Sequence, residues 1–147
     1  MARYSHWLTF LALFLGGCSG EIPAGLGLRD GRLASCPKSP NCVASQESDA
    51  GHHIAPFVYS DSRAAARARL QAAILALPRA TIVTEREDYL HATFASALFG
   101  FVDDAEFYLP ADRSVIEVRS CARKGYSDFG VNRKRLETLR TAFTPAP

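Results

Sequence analysis

The chain has 147 residues, with 17 basic and 15 acidic side chains and a formal net charge of +2. This near-balance argues against a nucleic-acid-binding protein and against a solvated acidic tail. Hydrophobic residues make up 48% of the sequence and charged residues 22%, a composition that excludes an intrinsically disordered chain. No apolar run is long enough to span a bilayer, and the length predicts one globular domain with its own core.

Residues 1–17 have the form of a bacterial lipoprotein signal peptide. Arg3 supplies a positive charge, residues 8–15 form a short apolar run, and Leu15-Gly16-Gly17-Cys18 follows in the pattern of a lipobox. Cys18 is therefore the predicted lipidation site, and several acyl chains, palmitate among them, would anchor the protein stably in a membrane. Ser19 resembles the signal of lipoproteins on the periplasmic face of the outer membrane. The alternative is a plain secretory signal with an incidental cysteine.

Residues 18–35 are predicted to be the lipidated cysteine followed by a flexible tether. Glycines at 20, 25, 27 and 31 are interspersed with Pro23 and few apolar residues, a composition typical of linkers. The same segment could dock as an irregular N-terminal arm, and the sequence leaves both alternatives open.

Cys36 and Cys42 enclose a short loop that contains two prolines. In an exported protein this spacing favours a local disulfide, worth about 2 kcal/mol of unfolded-state entropy. A zinc site would need further ligands from Cys121 and scattered histidines, and a redox-active pair usually has two intervening residues. His52 and His53 are adjacent in a polar loop, which is weak evidence for a metal. We therefore predict a disulfide and no metal or other cofactor.

Hydrophobic periodicity predicts the secondary structure of residues 36–147, the globular domain. Residues 57–60 form a short strand, and a helix capped by Asp61 or Ser62 runs to Leu77 with one apolar face. Alternation then predicts strands over 81–86, 89–97, 100–109 and 113–122, joined by short turns that imply antiparallel neighbours. A last helix buries Val131, Leu136, Leu139 and Phe143. The predicted fold is α+β, an antiparallel sheet of four to five strands with two helices mainly on one face, in the order βαββββα.

Two blocks of opposite charge lie in consecutive predicted strands. Residues 83–112 hold seven acids and one base, whereas residues 113–140 hold eight bases and three acids. On one strand face, Asp104 and Glu106 are predicted to meet Arg119, Arg123 and Glu117 as exposed cross-strand ion pairs. The alternation of side chains along its strand places Asp103 on the same face as aromatic residues. A carboxylate there needs hydrogen-bond donors or a partner, so Asp103 is either a structural latch that holds the fold together or part of a site.

Three stretches stand out as motifs: Phe99-Gly100-Phe101-Val102-Asp103-Asp104, the run from Arg119 to Arg135, and Ser39-Pro40-Asn41-Cys42. Together they resemble the family of unknown function DUF1499, whose bacterial members are often lipoproteins. The resemblance extends from about Cys36 to Arg140, and it implies a domain class and an envelope setting without a reaction. Cys121 stands where members of the family more often have Ser or Ala.

Two functions from different classes remain open. The first is a non-catalytic binding or scaffolding module for an envelope glycan, lipid or partner protein, because arginine forks suit carboxylate and phosphate groups. Its candidate ligand-binding residues are Asp103, Asp104, Arg119, Arg123, Tyr126, Asp128, Asn132, Arg133 and Arg135. The alternative is a hydrolase that uses Asp103 and Asp104 as acid and base, or Cys121 with His91. No nucleophile elbow or phosphate loop supports an enzyme, so the sequence favours the binding module.

Overall fold

A computed structural model describes residues 21–97 and 99–144 of the chain. The predicted signal peptide, the lipidation site Cys18 and Ser19 lie outside the described residues. The helices and strands are β1 (Cys42–Ala44), β2 (Phe57–Val58), α1 (Arg63–Ala76), β3 (Ala80–Glu85), β4 (Tyr89–Ala95), β5 (Val102–Tyr108), β6 (Val115–Ala122) and α2 (Val131–Phe143). Within the described ranges, no helix has the length and apolar character needed to cross a membrane.

The strands form one antiparallel sheet in the order β1-β6-β5-β4-β3, and β2 pairs with β6 beside β1. The predicted α+β fold class is therefore confirmed, with six strands in the sheet. The strand that the sequence did not predict is β1, because three residues are too few to show an alternating pattern.

Helix α1 begins where the sequence predicts. The Ser62 hydroxyl accepts a hydrogen bond from the Ala65 N–H at 3.1 Å, which satisfies one of the free donors of the first turn. Of its predicted apolar face, Ala66, Leu70, Ala73 and Ile74 are buried, whereas Leu77 is the C-cap and is only partly buried.

Helix α2 is positioned by the loop before it. Gly130 has a left-handed φ of 78°, and the Asp128 carboxylate accepts hydrogen bonds from the N–H groups of Gly130 and Asn132. Leu136, Leu139 and Phe143 are buried, as predicted. The prediction for Val131 is wrong: the helical period that buries Leu136 turns Asn132 inward and leaves Val131 48% exposed.

One apolar core joins both helices to one face of the sheet. Its larger members are Phe57, Leu70, Ile74, Leu90, Phe107, Leu109, Ile116, Val118, Leu136, Leu139 and Phe143. The opposite face of the sheet carries the alternate residues of the same strands, and these are predominantly polar.

Residues 21–35, called the arm below, lie against this second face. The Gly27 N–H donates to the Glu106 carboxylate at 2.7 Å, and the Leu33 N–H donates to the Gln46 side chain at 2.8 Å. The Leu33 side chain is itself buried. Of the two alternatives that the sequence leaves open for this segment, the structure has the docked arm from Gly27 onward.

Candidate functional site

The second face of the sheet, called the polar face below, holds buried titratable side chains in neighbouring strands. They are Tyr89, His91, Asp104, Glu106, Glu117 and Arg119. The sequence predicted exposed ion pairs here, and that expectation is wrong because each of these side chains is less than 9% exposed. Their cost of desolvation has to be offset by hydrogen bonds and opposite charges.

Glu106 is fully buried at the centre of the polar face. Its carboxylate accepts hydrogen bonds from Arg119 Nη1 at 3.1 Å and from the Tyr89 hydroxyl at 2.7 Å, besides the bond from Gly27. Burial, followed by the nearby charge of Glu106, raises the pKa of Tyr89, so its hydroxyl stays a proton donor. The predicted contact of Glu106 with Arg119 is therefore present, in a buried setting.

Asp104 forms the second charged cluster of the polar face. Arg123 donates to both of its carboxylate oxygens, from Nε and Nη2, each at 2.8 Å, and His91 Nε2 lies 2.8 Å from Oδ1. Burial by itself would raise the pKa of Asp104, but the hydrogen bonds from Arg123 and then His91 outweigh it, and the pKa is lowered. The same ion pair raises the pKa of Arg123.

Asp103 lies on the other side of the strand from Asp104, as adjacent strand residues must. Its carboxylate accepts a hydrogen bond from Arg135 Nη2 at 2.6 Å, and the Arg135 guanidinium stacks over the Phe94 ring at 4.7 Å. Two carboxylates on opposite faces cannot act on one substrate, so this geometry contradicts an Asp103/Asp104 acid and base pair. Asp103 instead joins β5 to α2 as a structural latch.

Cys121 lies on the polar face of β6. In the antiparallel pairing of β6 with β1, it stands opposite Cys42. Cys42 is disulfide-bonded to Cys36, as predicted, and Cys121 is a free cysteine. Burial raises the pKa of the Cys121 thiol, with Arg119 opposing the shift only in part, so the neutral thiol is favoured over the nucleophilic thiolate. His91, its predicted partner, is hydrogen-bonded to Asp104. This arrangement does not support a Cys121 and His91 nucleophile.

The remaining predicted ligand-binding residues do not converge with the polar face. Asn132 is buried beneath β6, where it bonds Ser120 and Asp128, and Arg133 donates to the backbone carbonyls of Gly51 and His53. Asp128 caps α2, and the Tyr126 side chain is exposed. Asn132, Arg133 and Asp128 thus make hydrogen bonds that hold α2 and the neighbouring loops in place.

A cavity of about 420 Å³ separates part of the arm from the polar face. The sheet contributes Asp104, Arg119, Cys121 and Arg123 to its wall, and the arm contributes Pro23, Gly25, Leu26, Ala34 and Ser35. Sequence reasoning named the charged residues but missed the arm, whose irregular backbone carries no periodic signal. Arg119 is only 8% exposed, and its buried Nε has no hydrogen-bond partner.

The two adjacent histidines take part in local contacts. His52 Nδ1 lies 2.7 Å from the Asp49 carboxylate, and His53 Nδ1 lies 2.9 Å from the Glu47 carbonyl. In the part of the chain that the structure describes, no three His, Cys, Asp or Glu side chains are grouped so as to hold a metal ion.

The fold and its polar face define a small α+β domain with a docked N-terminal arm and a charged cavity beneath it. The chain belongs to the family DUF1499, a protein family of unknown function, whose model matches residues 32–143. The match extends the resemblance seen in the sequence by a few residues at each end and includes the last part of the arm. No curated protein matches the chain.

Proposed function

We propose that this protein is a lipid-anchored envelope protein that binds a small anionic ligand in the cavity between the arm and the polar face. It binds this ligand without catalysing a reaction. The observation that carries the proposal is Arg119, a buried guanidinium group that lines the cavity while its Nε has no partner. A buried donor without an acceptor costs about 1–3 kcal/mol.

The charges around the cavity favour a carboxylate or phosphate group as the ligand. Asp104 and Glu106 fix the arginines that face them, so these arginines are held in place before a ligand arrives. Planar guanidinium groups bind such anions through paired hydrogen bonds. Pro23, Leu26 and Ala34 add an apolar wall, which suits an organic anion with an apolar part.

Two features support the proposed envelope location: the predicted signal peptide and the disulfide. The lipobox at Cys18 predicts export and acylation, and disulfides persist in oxidising compartments such as the periplasm. Fractionation of cells that express the full chain, with Cys18→Ser as the comparison, tests this part of the proposal separately from ligand binding.

Binding is tested by thermal unfolding of the full chain in increasing phosphate, with chloride at matched ionic strength as the reference. A ligand at a hundred times its Kd stabilises the folded state by about 2.7 kcal/mol. Arg119→Lys keeps a positive charge beside Glu106 but removes the Nε donor, and Ala34→Phe fills the cavity from the arm. Both variants should lose the phosphate-dependent rise in melting temperature.

Arg67→Lys is the matched control, since Arg67 lies on α1 and pairs with Glu85 outside the cavity. It should keep the full response to phosphate. An equal response in all four proteins would overturn the cavity as the site. If the two cavity variants lose the response, native mass spectrometry of protein extracted from the envelope identifies the natural ligand as a discrete adduct that Arg119→Lys lacks.

A further inference from the structure

One end of the sheet brings together residues 96–97 and 99–101 of one loop and residues 123–130 of another, which we call the aromatic end. Ala95 at the end of β4 pairs with Val102 at the start of β5, and Asp103 pairs with Ala122 at the end of β6. The Arg123 N–H donates to the Val102 carbonyl at 3.1 Å, which joins the second loop to the strand residue that follows the first loop.

Among the described residues, four of the nine exposed large hydrophobic residues lie in the two loops of the aromatic end. Phe129 is 95% exposed, Phe99 and Phe101 have ring centroids 5.8 Å apart, and Tyr126 is also exposed. Leu75 and Val131 are exposed near the same end, since α1 leads into the start of β3 beside Phe94 and α2 begins after the second loop. Soluble surfaces rarely group such residues unless they meet a partner.

The charge at the aromatic end is positive. Arg79 precedes β3 and donates to the Ala95 carbonyl, and Lys124 follows β6; both residues are exposed. The acids nearby are engaged inside the protein: Asp103 with Arg135, Asp104 with Arg123, and Asp128 with the first turn of α2. Exposed rings beside lysine and arginine are typical of surfaces that lie in the headgroup region of a bilayer.

The path of the chain brings the predicted lipid to this same end. Pro23 lines the cavity together with Ala122 and Arg123, the residues at which β6 ends. Cys18 precedes Pro23 by five residues, which span at most about 17 Å. A lipid on Cys18 therefore keeps the aromatic end within reach of the membrane.

We propose that the aromatic end contacts the surface of a bilayer that carries anionic lipids, with its rings at the depth of the headgroups. The contact fixes the orientation of the domain, with the N-terminal side of the arm and one end of the ligand cavity next to the membrane. This inference rests on the lipid anchoring of the proposed function. It adds a protein surface to that anchor.

The test places one tryptophan at each end of the domain in the full chain, reconstituted into vesicles of phosphatidylethanolamine and phosphatidylglycerol. Phe129→Trp probes the aromatic end. Val58→Trp is the matched control, because Val58 is 71% exposed and pairs with Val115 at the opposite end of β6. The one tryptophan of the sequence, Trp7, lies in the predicted signal peptide that processing before Cys18 removes, so the unsubstituted lipidated protein supplies the background to subtract.

We expect the Phe129→Trp emission to shift to the blue and to be quenched by lipids brominated near the headgroup, whereas Val58→Trp keeps the emission of a residue in water. Replacing phosphatidylglycerol by phosphatidylcholine should lower the quenching, and equal quenching would contradict the role of Arg79 and Lys124. If the protein floats with the vesicles but both tryptophans stay in water, the surface is overturned while the anchor stands, and the aromatic end is then a surface for a protein partner. If the protein does not float, the lipid anchor and the membrane surface both fail, whereas ligand binding in the cavity is judged by its own test.

Discussion

At the scale of single residues, the polar face depends on charges that are buried together. Glu106 is fully buried and Asp104 nearly so, and each is matched by an arginine on β6 or directly after it. Removing one member of such a pair costs about 3–5 kcal/mol, because the other charge stays in a medium of low polarity. These residues therefore constrain the sheet more than exposed ion pairs do.

The pH dependence of the free energy of unfolding should reveal the protonation of the Asp104 carboxylate. Its pKa is lowered in the folded protein, so its contribution is fully present above the unfolded value of 3.8 and is lost as the pH falls through the folded value. We expect the urea midpoint of the native chain to fall below about pH 4. Asp104→Asn should be less stable at neutral pH and should lose less on acidification. A parallel pH profile for the two proteins would contradict this assignment.

At the scale of secondary structure elements, the arm is the element on which the site depends. It has little regular structure, yet Gly27 and Leu33 bond to residues that lie far away in the sequence, Glu106 and Gln46. Leu33 is the buried apolar side chain that holds it. Because an irregular segment with few buried contacts opens more readily than the sheet, it can admit a ligand to the cavity by local unfolding.

The stability of the arm can be measured by limited trypsin digestion, since Arg29 and Arg32 lie within it. Leu33→Ala should remove about 2–3 kcal/mol of burial and raise the rate of cleavage after these two residues. Val83→Ala, at an exposed position on β3, is the control and should leave the rate unchanged. Cleavage at the native rate in Leu33→Ala would show that Leu33 does not hold the arm.

At the scale of the whole molecule, the disulfide joins the arm to the sheet. Cys36 follows the arm directly, and Cys42 begins β1, which pairs with β6. The bond therefore holds the end of the arm above the cavity while it closes a short loop. The N–H of Cys36 also donates to the Glu47 side chain at 2.6 Å, which fixes the same point.

Removing the disulfide should lower the free energy of unfolding by about 2 kcal/mol, the entropy expected for a loop of about seven residues. The double variant Cys36→Ala/Cys42→Ala, compared with the native chain in urea, measures this loss. Cys121→Ala removes a cysteine without breaking a covalent bond and should keep most of the stability. An intact mass that shows free Cys36 and Cys42 after oxidative export would contradict the bond in the cell.

The sequence by itself determined every element except β1, and it determined the antiparallel pairing of the consecutive strands β3 to β6. Alternation in β3 to β6 and the helical period of α1 and α2 are local signals, because burial on one face repeats along each element. Short turns fixed the antiparallel neighbours, and the same parity predicted that Glu106 meets Arg119. The spacing of Cys36 and Cys42, the prolines between them and the predicted export together favoured the disulfide that the structure has.

Only the tertiary structure decided which face of the sheet was covered, and by what. The burial of Asp104 and Glu106 depends on the arm, whose bond from Gly27 to Glu106 joins residues 79 apart in the chain. No local pattern encodes such a contact, since glycines and prolines without periodicity suit a tether and a docked arm equally. The cavity with its unsatisfied Arg119 and the meeting of exposed rings at one end of the sheet arise for the same reason: both are formed by segments distant in sequence.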